Sequence, residues 1–368
     1  MKTVLERKME NNTERKVAMF RVKQQQDYAF KVRYAEIRAW EFFNHPEVDG
    51  NCYVAVGGLD SITLLLFLRS IGIDVPAISV SVLEDKSIQA VHKQLGVQGL
   101  KPIKSKVEVI REYGWPVLSK EIAGKIDLLQ RPTPGNATVR HAIITGETGE
   151  YGGWQKDSRM KLSKRWLEKF GGYENENEGV CYGKPDFLVS DKCCYYLKEK
   201  PCNDYARETG RYPYMGLMAS EGGRRQKALM INGCNYISPG TKRSCPFAIF
   251  GRQDLLQLAL DLHVPVPEIY GEIVREQDGS LRTTKAQRTG CSMCGFGIHM
   301  EQRTHRFDRL WQANPKEWAM WMTHVDQLPD GTWYGWGHVL DYIGVGWRDP
   351  WEQFWGERQM DLFGGGAT

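Results

Sequence analysis

The chain has 368 residues, 41% of them hydrophobic and 26% charged, with a net charge of +4. That length and balance exclude a collagen-like or wholly disordered polymer and allow one large or two smaller globular domains. The mild positive charge neither demands nor excludes a nucleic-acid partner. The longest apolar run, Ile62 to Leu68 with Thr63 inside it, is far too short to span a bilayer, and residues 1–20 contain no apolar signal core. The expectation is a cytoplasmic protein without a membrane partner. In that setting nine cysteines argue for metal or redox chemistry rather than disulfides.

In chain order, residues 1–50 read as a helical segment, with a helix over Val17–Phe43 and a loop from His45 to Gly50. Residues 51–250 read as an α/β domain. Tyr53–Val56 is a short apolar run that predicts a buried parallel strand. Gly57-Gly58 makes a tight turn, Asp60 or Ser61 supplies an N-cap, and an apolar helix runs to about Ile71, stopped by Gly72. A second strand, Ala77–Leu83, completes a βαβ unit. Two glycines let backbone N–H groups face into the turn, and the following helix N-terminus adds partial positive charge, so the turn suits phosphate. Glu84 lies just past the second strand, where open parallel sheets place ligand groups. Helices follow over Lys86–Leu95, near Val107–Tyr113, over Ser119–Leu129 and over Ser158–Phe170. Tyr173–Gly179 reads as an exposed insertion.

Residues 251–368 read as helical and rich in cysteine and tryptophan. Cys193-Cys194 opens a helix, and Cys291 and Cys294 form a C-x-x-C. A C-x-x-C turn points two thiolates at one metal, and an adjacent pair elsewhere would complete four sulfur ligands. The spacing leaves three readings: an iron–sulfur cluster, zinc, or cysteines that are merely buried. Trp318 and Trp321 fall on one helical face, Asp330-Gly331 reads as a turn, and the tail Asp349–Trp355 reads as a docking segment. The tryptophans fit core or interface packing better than base stacking.

The order G-G-x-D-S at Gly57–Ser61 resembles the pyrophosphate loop of the ATP pyrophosphatase (adenine nucleotide alpha hydrolase) superfamily. Cys193-Cys194, followed about a hundred residues later by Cys291-x-x-Cys294, resembles the cluster motif of adenylyl-sulfate reductases and of the iron–sulfur sulfurtransferases of DNA phosphorothioation. Both lie in the phosphoadenylyl-sulfate (PAPS) reductase-like branch, and the resemblance extends over about residues 25–345. It implies a mostly parallel twisted sheet with flanking helices and a helical, cluster-bearing C-terminal part. It implies that Gly57, Gly58, Asp60 and Ser61 cradle phosphates, with Glu84 and Arg225 also at the nucleotide. The expected strand Tyr214–Ser220 followed by Glu221 and Arg224 resembles the family's G-x-x-x-x-E-x-x-R segment, which puts Asp60, Ser61, Glu221 and Arg224 at the chemistry. For Arg224, Arg225 and Lys227 a solvated helix face is the competing reading. Cys193, Cys194, Cys291 and Cys294 would hold a [4Fe–4S] cluster, and His299, Arg303, His305 and Arg306 could meet an anionic substrate.

This sequence departs from the family pattern at Val56, where a Ser is usual, at Val80, where Asp is common, and at Gly222. It also has no cysteine after Cys294 to attack a sulfonucleotide. Cys52, Cys181, Cys202, Cys234 and Cys245 are the substitutes, Cys234 and Cys245 foremost. The expected function is therefore ATP- and Mg2+-dependent: adenylylation of an acceptor with pyrophosphate release, then displacement of AMP by sulfur. The expected partners are an adenine nucleotide, a sulfur-donor protein such as a cysteine desulfurase, an acceptor that is a nucleic acid or small molecule, and a second copy of the chain. A sulfonucleotide reductase and a non-catalytic nucleotide sensor are the alternatives.

Overall fold

The computed structural model describes residues 4–175, 181–303 and 305–348, with side chains left aside for 4–11 and Arg224. The docking tail expected at Asp349–Trp355 and the end of the insertion expected at Tyr173–Gly179 lie outside the described residues. The chain divides into two compact units, residues 1–102 with 198–292, and residues 103–197 with 293–368. Neither unit is continuous in sequence: 103–197 combines with the end of the chain, and the sheet is built from what remains.

The first unit carries a six-stranded sheet in the order β3-β2-β1-β4-β6-β5. Its strands are β1 (Cys52–Ala55), β2 (Ala77–Ser79), β3 (Gln98–Gly99), β4 (Tyr212–Met215), β5 (Asn235–Ser238) and β6 (Thr241–Ser244). All neighbours are parallel except β5, which runs antiparallel to β6. The mostly parallel α/β sheet expected from the sequence is present. β1 pairs with β2 on one side (Val54↔Ala77) and with β4 on the other (Val54↔Tyr214). Chain order therefore reverses between β1 and β4, which creates the crevice at which open sheets bind ligands.

Helix α1 spans Val4–Gln24 and α2 spans Tyr28–Phe43. The single helix expected over Val17–Phe43 is broken at Gln25–Asp27, because Asp27 leaves helical geometry and its carboxylate accepts the Phe30 N–H as the N-cap of α2. Helix α3 (Leu59–Ser70) is buried on nearly every face, through Leu59, Ile62, Leu64, Leu65, Phe67 and Leu68. Such a helix belongs inside a core rather than on a surface. It ends before Gly72, which takes the left-handed φ of 84° expected of its stop. β2 is shorter than the expected Ala77–Leu83, because a 3-10 turn takes over at Ser81–Leu83 and carries Glu84 back toward helix α4 (Lys86–Gln94). The strand expected at Tyr214–Ser220 is likewise Tyr212–Met215 followed by a 3-10 turn, Ala219–Glu221.

The second unit is helical. Helices Lys106–Tyr113 and Lys120–Gln130 match expectation, while the helix expected from Ser158 begins at Lys164. Arg306–Ala313, Pro315–Thr323 and Trp336–Ile343 supply most of the C-terminal part. Trp115, Trp318, Trp336, Phe170 and Phe307 are fully buried, and the rings of Trp115 and Trp336 meet edge-on at 4.8 Å. The tryptophan-rich C-terminus is thus largely core, as expected, though Trp333 remains exposed. Asp326–Gln327 pairs with Trp333–Tyr334 around the expected turn, with Gly331 at φ 87°. Among the described residues no helix is long and apolar enough to cross a membrane.

Candidate functional site

The turn from β1 into α3 is fastened within itself and from two other elements. Gly58, not Asp60 or Ser61, is the N-cap of α3, and it has no side chain with which to cap. Asp60 and Ser61 lie in the first turn instead. The Ser61 hydroxyl accepts the Gly57 N–H (2.7 Å) and donates to the Gly58 carbonyl (2.9 Å), so it ties the loop to the helix. From α4, His92 Nε2 meets the Gly57 carbonyl at 2.8 Å, and its Nδ1 meets the Ser81 hydroxyl at 2.8 Å. Burial holds His92 below the usual histidine range, so the ring is a neutral brace. From farther along the chain, the Tyr270 hydroxyl accepts the Leu59 N–H at 3.2 Å and pairs with Thr289 Oγ1 at 2.7 Å.

Around this turn stand two carboxylates and three arginines. Arg252 Nη1 donates to Asp60 at 2.6 Å, and its Nη2 donates to the Gln287 carbonyl at 3.1 Å. Glu221 accepts from Arg225 at 2.8 Å and from Arg288 at 3.3 Å. Burial raises the Asp60 carboxyl above its ordinary range; Arg252 opposes that shift and the negative Glu221 adds to it. Arg225 and Arg288 are exposed, but the Glu221 carboxylate that they share is buried, so an anion that draws them away leaves a desolvated charge that needs another cation. Glu84 is buried and holds Lys198 Nζ at 2.6 Å. Although burial opposes its charge, Cys291 and Glu84 keep Lys198 above the usual lysine range.

The structure thus brings together Gly57, Gly58, Asp60, Ser61, Glu84, Glu221 and Arg225, which the sequence pointed to. Arg224 belongs to the helix Gly223–Asn232, but its side chain lies outside the described residues. Val56 is buried and Val80 follows β2, capping the 3-10 turn, so neither places a polar group at the turn. His92, Lys198, Arg252, Tyr270 and Thr289 were missed. Only Arg288-Thr289 carried any signal, by preceding the C-x-x-C.

Among the described residues no group of three or more His, Cys, Asp or Glu side chains is gathered so as to hold a metal. Cys193 and Cys194 are neighbours on a helical turn, Lys192–Cys194, so their side chains diverge by about 100°; Cys193 is buried and Cys194 half-buried. Cys194, Cys291 and Cys294 share that intermediate exposure, and the chain between the last two turns through Met293 at φ 51°. Gly295 is packed so closely on Trp336 that no side chain fits there. Burial pushes the thiols of Cys52, Cys234 and Cys245 up to about 12, which makes the two foremost substitute nucleophiles inert core residues. His305 caps its own helix through Asp308 and bonds the Gly346 carbonyl, Arg303 pairs with Asp308, and Arg306 bonds Glu301 and the Cys294 carbonyl. The ring of His299 packs edge-on against Trp166.

The two glycines answer to different neighbours. A Cβ on Gly57 would meet Glu84 Oε1 at an ordinary 3.6 Å, whereas one on Gly58 would collide with the Tyr270 hydroxyl. Gly57→Ala is expected to leave thermal stability nearly unchanged and Gly58→Ala to cost about 1–3 kcal/mol. Denaturant melts should also show most of the Gly58→Ala loss disappearing in a Tyr270→Phe background, where the colliding oxygen is gone.

No family model matches the chain, and no curated protein matches it. Among solved structures it is similar to a phosphoadenylyl-sulfate (PAPS) reductase from Candida auris, determined as a phosphate complex, with 12% identity over 67% of this chain and 89% of that one and a TM-score of 0.34. A likeness of that size carries no argument about activity, which rests on the site itself.

Proposed function

We propose that this protein is a nucleotide-using enzyme of the pyrophosphate-loop kind, acting as an ATP-dependent sulfurtransferase. The observation that carries the reading is the turn Gly57–Ser61, set at the point where strand order reverses between β1 and β4 and faced by Arg252, Arg225 and Arg288. The helix N-terminus and the guanidinium forks favour phosphate oxygens.

An acceptor oxygen attacks the α-phosphorus of ATP, the bond to the β-phosphate breaks, and pyrophosphate leaves with that electron pair. Sulfur from a donor protein, such as a cysteine desulfurase, then displaces AMP from the activated acceptor. The chain's own part is positioning and charge neutralisation. Arg252 exchanges Asp60 for a phosphate oxygen, and Arg225 and Arg288 exchange Glu221. Asp60 and Glu221 would then be the carboxylates that hold Mg2+, which such sites bind through one or two carboxylates plus substrate phosphates. The ion would supply neutralisation of charge on the leaving pyrophosphate.

A [4Fe–4S] cluster on Cys193, Cys194, Cys291 and Cys294 enters this reading on the cysteine pattern alone. Anaerobic protein should contain about four irons and four sulfides, lost in Cys291→Ser; zinc or no metal removes the cluster from the proposal. For the nucleotide step, pyrophosphate should form from ATP only with acceptor and Mg2+, and AMP only when a sulfur donor is present as well. Arg252→Met and Asp60→Asn should each lower that turnover about 100-fold. Sulfite released from adenylyl sulfate would instead make the protein a sulfonucleotide reductase. Tight nucleotide binding with no turnover would make it a sensor.

A further inference from the structure

The loop contributes little hydroxyl chemistry of its own. Val56, at its head, is apolar and buried, and the single hydroxyl inside it, on Ser61, is committed to Gly57 and Gly58. A second hydroxyl reaches the same place from residue 270. Tyr270 is 3% exposed, and its oxygen lies against Gly58 Cα and on the Leu59 N–H, at the start of α3.

The Tyr270 backbone is anchored. Its carbonyl accepts the Lys285 N–H at 3.0 Å, and the preceding residue, Ile269, accepts from Ala286 (3.1 Å) and donates to the Ser87 hydroxyl (3.1 Å). Burial of the side chain and the two contacts of its hydroxyl hold the ring against the turn. A phenol has one hydrogen and two acceptor lone pairs. Leu59 N–H uses one lone pair, and Thr289 Oγ1, at 2.7 Å, can donate to the other. When Thr289 is the donor, the phenolic hydrogen is left for a third partner beside Gly58. Burial also keeps the phenol protonated, so it serves as a neutral donor at any physiological pH.

We propose that Tyr270, oriented by Thr289, is a phosphate-binding residue of this loop, its O–H donated to a phosphate oxygen beside Gly58. This rests on the nucleotide reading above and adds a specific donor to it. It also gives Gly58 a definite role: the position lacks a side chain so that Tyr270 can approach, as well as to admit the ligand.

The test is calorimetric titration of the full chain with magnesium pyrophosphate and with a non-hydrolysable ATP analogue, for wild type, Tyr270→Phe and Thr289→Val. Tyr270→Phe should bind both ligands about tenfold more weakly, the loss expected for one hydrogen bond to a charged group. Thr289→Val keeps the phenol but releases its orientation, so its loss should be smaller and in the same direction. It carries the test if Tyr270→Phe does not fold. Equal or tighter binding by a folded Tyr270→Phe, with wild type binding normally, overturns this inference alone; tighter binding would mark the hydroxyl as a competitor of phosphate. If wild type binds neither ligand, the nucleotide reading fails and the inference falls with it.

Discussion

The site depends on how the peptide turn at Gly57–Gly58 is held. A two-glycine turn is the most entropically costly backbone to fix, and here three separate groups fix it. Ser61 spans the turn from within, His92 takes the Gly57 carbonyl from α4, and Tyr270 takes the Leu59 N–H from beyond the sheet. Each bond is modest, about 0.5–1.5 kcal/mol net. Together they turn a flexible dipeptide into a fixed turn at the end of β1. The parallel pairing of β1 with β2 and β4 places that turn at the sheet's switch point, and the buried face of α3 holds its axis.

The charges around the turn form a closed network. Arg252 neutralises Asp60, while Arg225 and Arg288 share Glu221, and Asp60 and Glu221 lie close enough for each to feel the other's charge. Such an arrangement is satisfied without ligand; two of its three arginines are exposed to an incoming anion, while the Glu221 carboxylate between them is buried and needs a cation when they leave. An anion with several oxygens can collect the guanidiniums, which frees the carboxylates for a cation. Lys198, on Glu84, extends the positive character toward Cys291.

What was legible in the sequence was local. The strand, glycine turn and apolar helix from Tyr53 to Ile71 are contiguous, and their period and punctuation survive in the structure. Side-chain rules favour Asp60 or Ser61 as the N-cap, whereas the position falls to Gly58, in ordinary extended geometry and with a distant tyrosine where its side chain would be. The break at Gln25–Asp27 was passed over because Asp27 sits in a polar stretch where its capping role leaves no apolar mark. The groups that hold and charge the site were not legible: Arg252 reaches Asp60 across 192 residues, Tyr270 reaches Leu59 across 211, and Lys198 reaches Glu84 across 114. Nor does periodicity reveal that residues 103–197 join 293–368 rather than the sheet. The cysteine pattern is a contrast: clear in the sequence, it is not gathered into a metal-holding group among the described residues.

The most direct measurement of the central claim is an amide NMR titration of 15N-labelled protein with magnesium pyrophosphate. If the turn is the phosphate site, the amides of Gly57 to Ser61 shift first and most, with the side-chain Nε signal of Arg252 moving in the same titration. Shifts confined to other regions, or none up to millimolar ligand, would contradict the account.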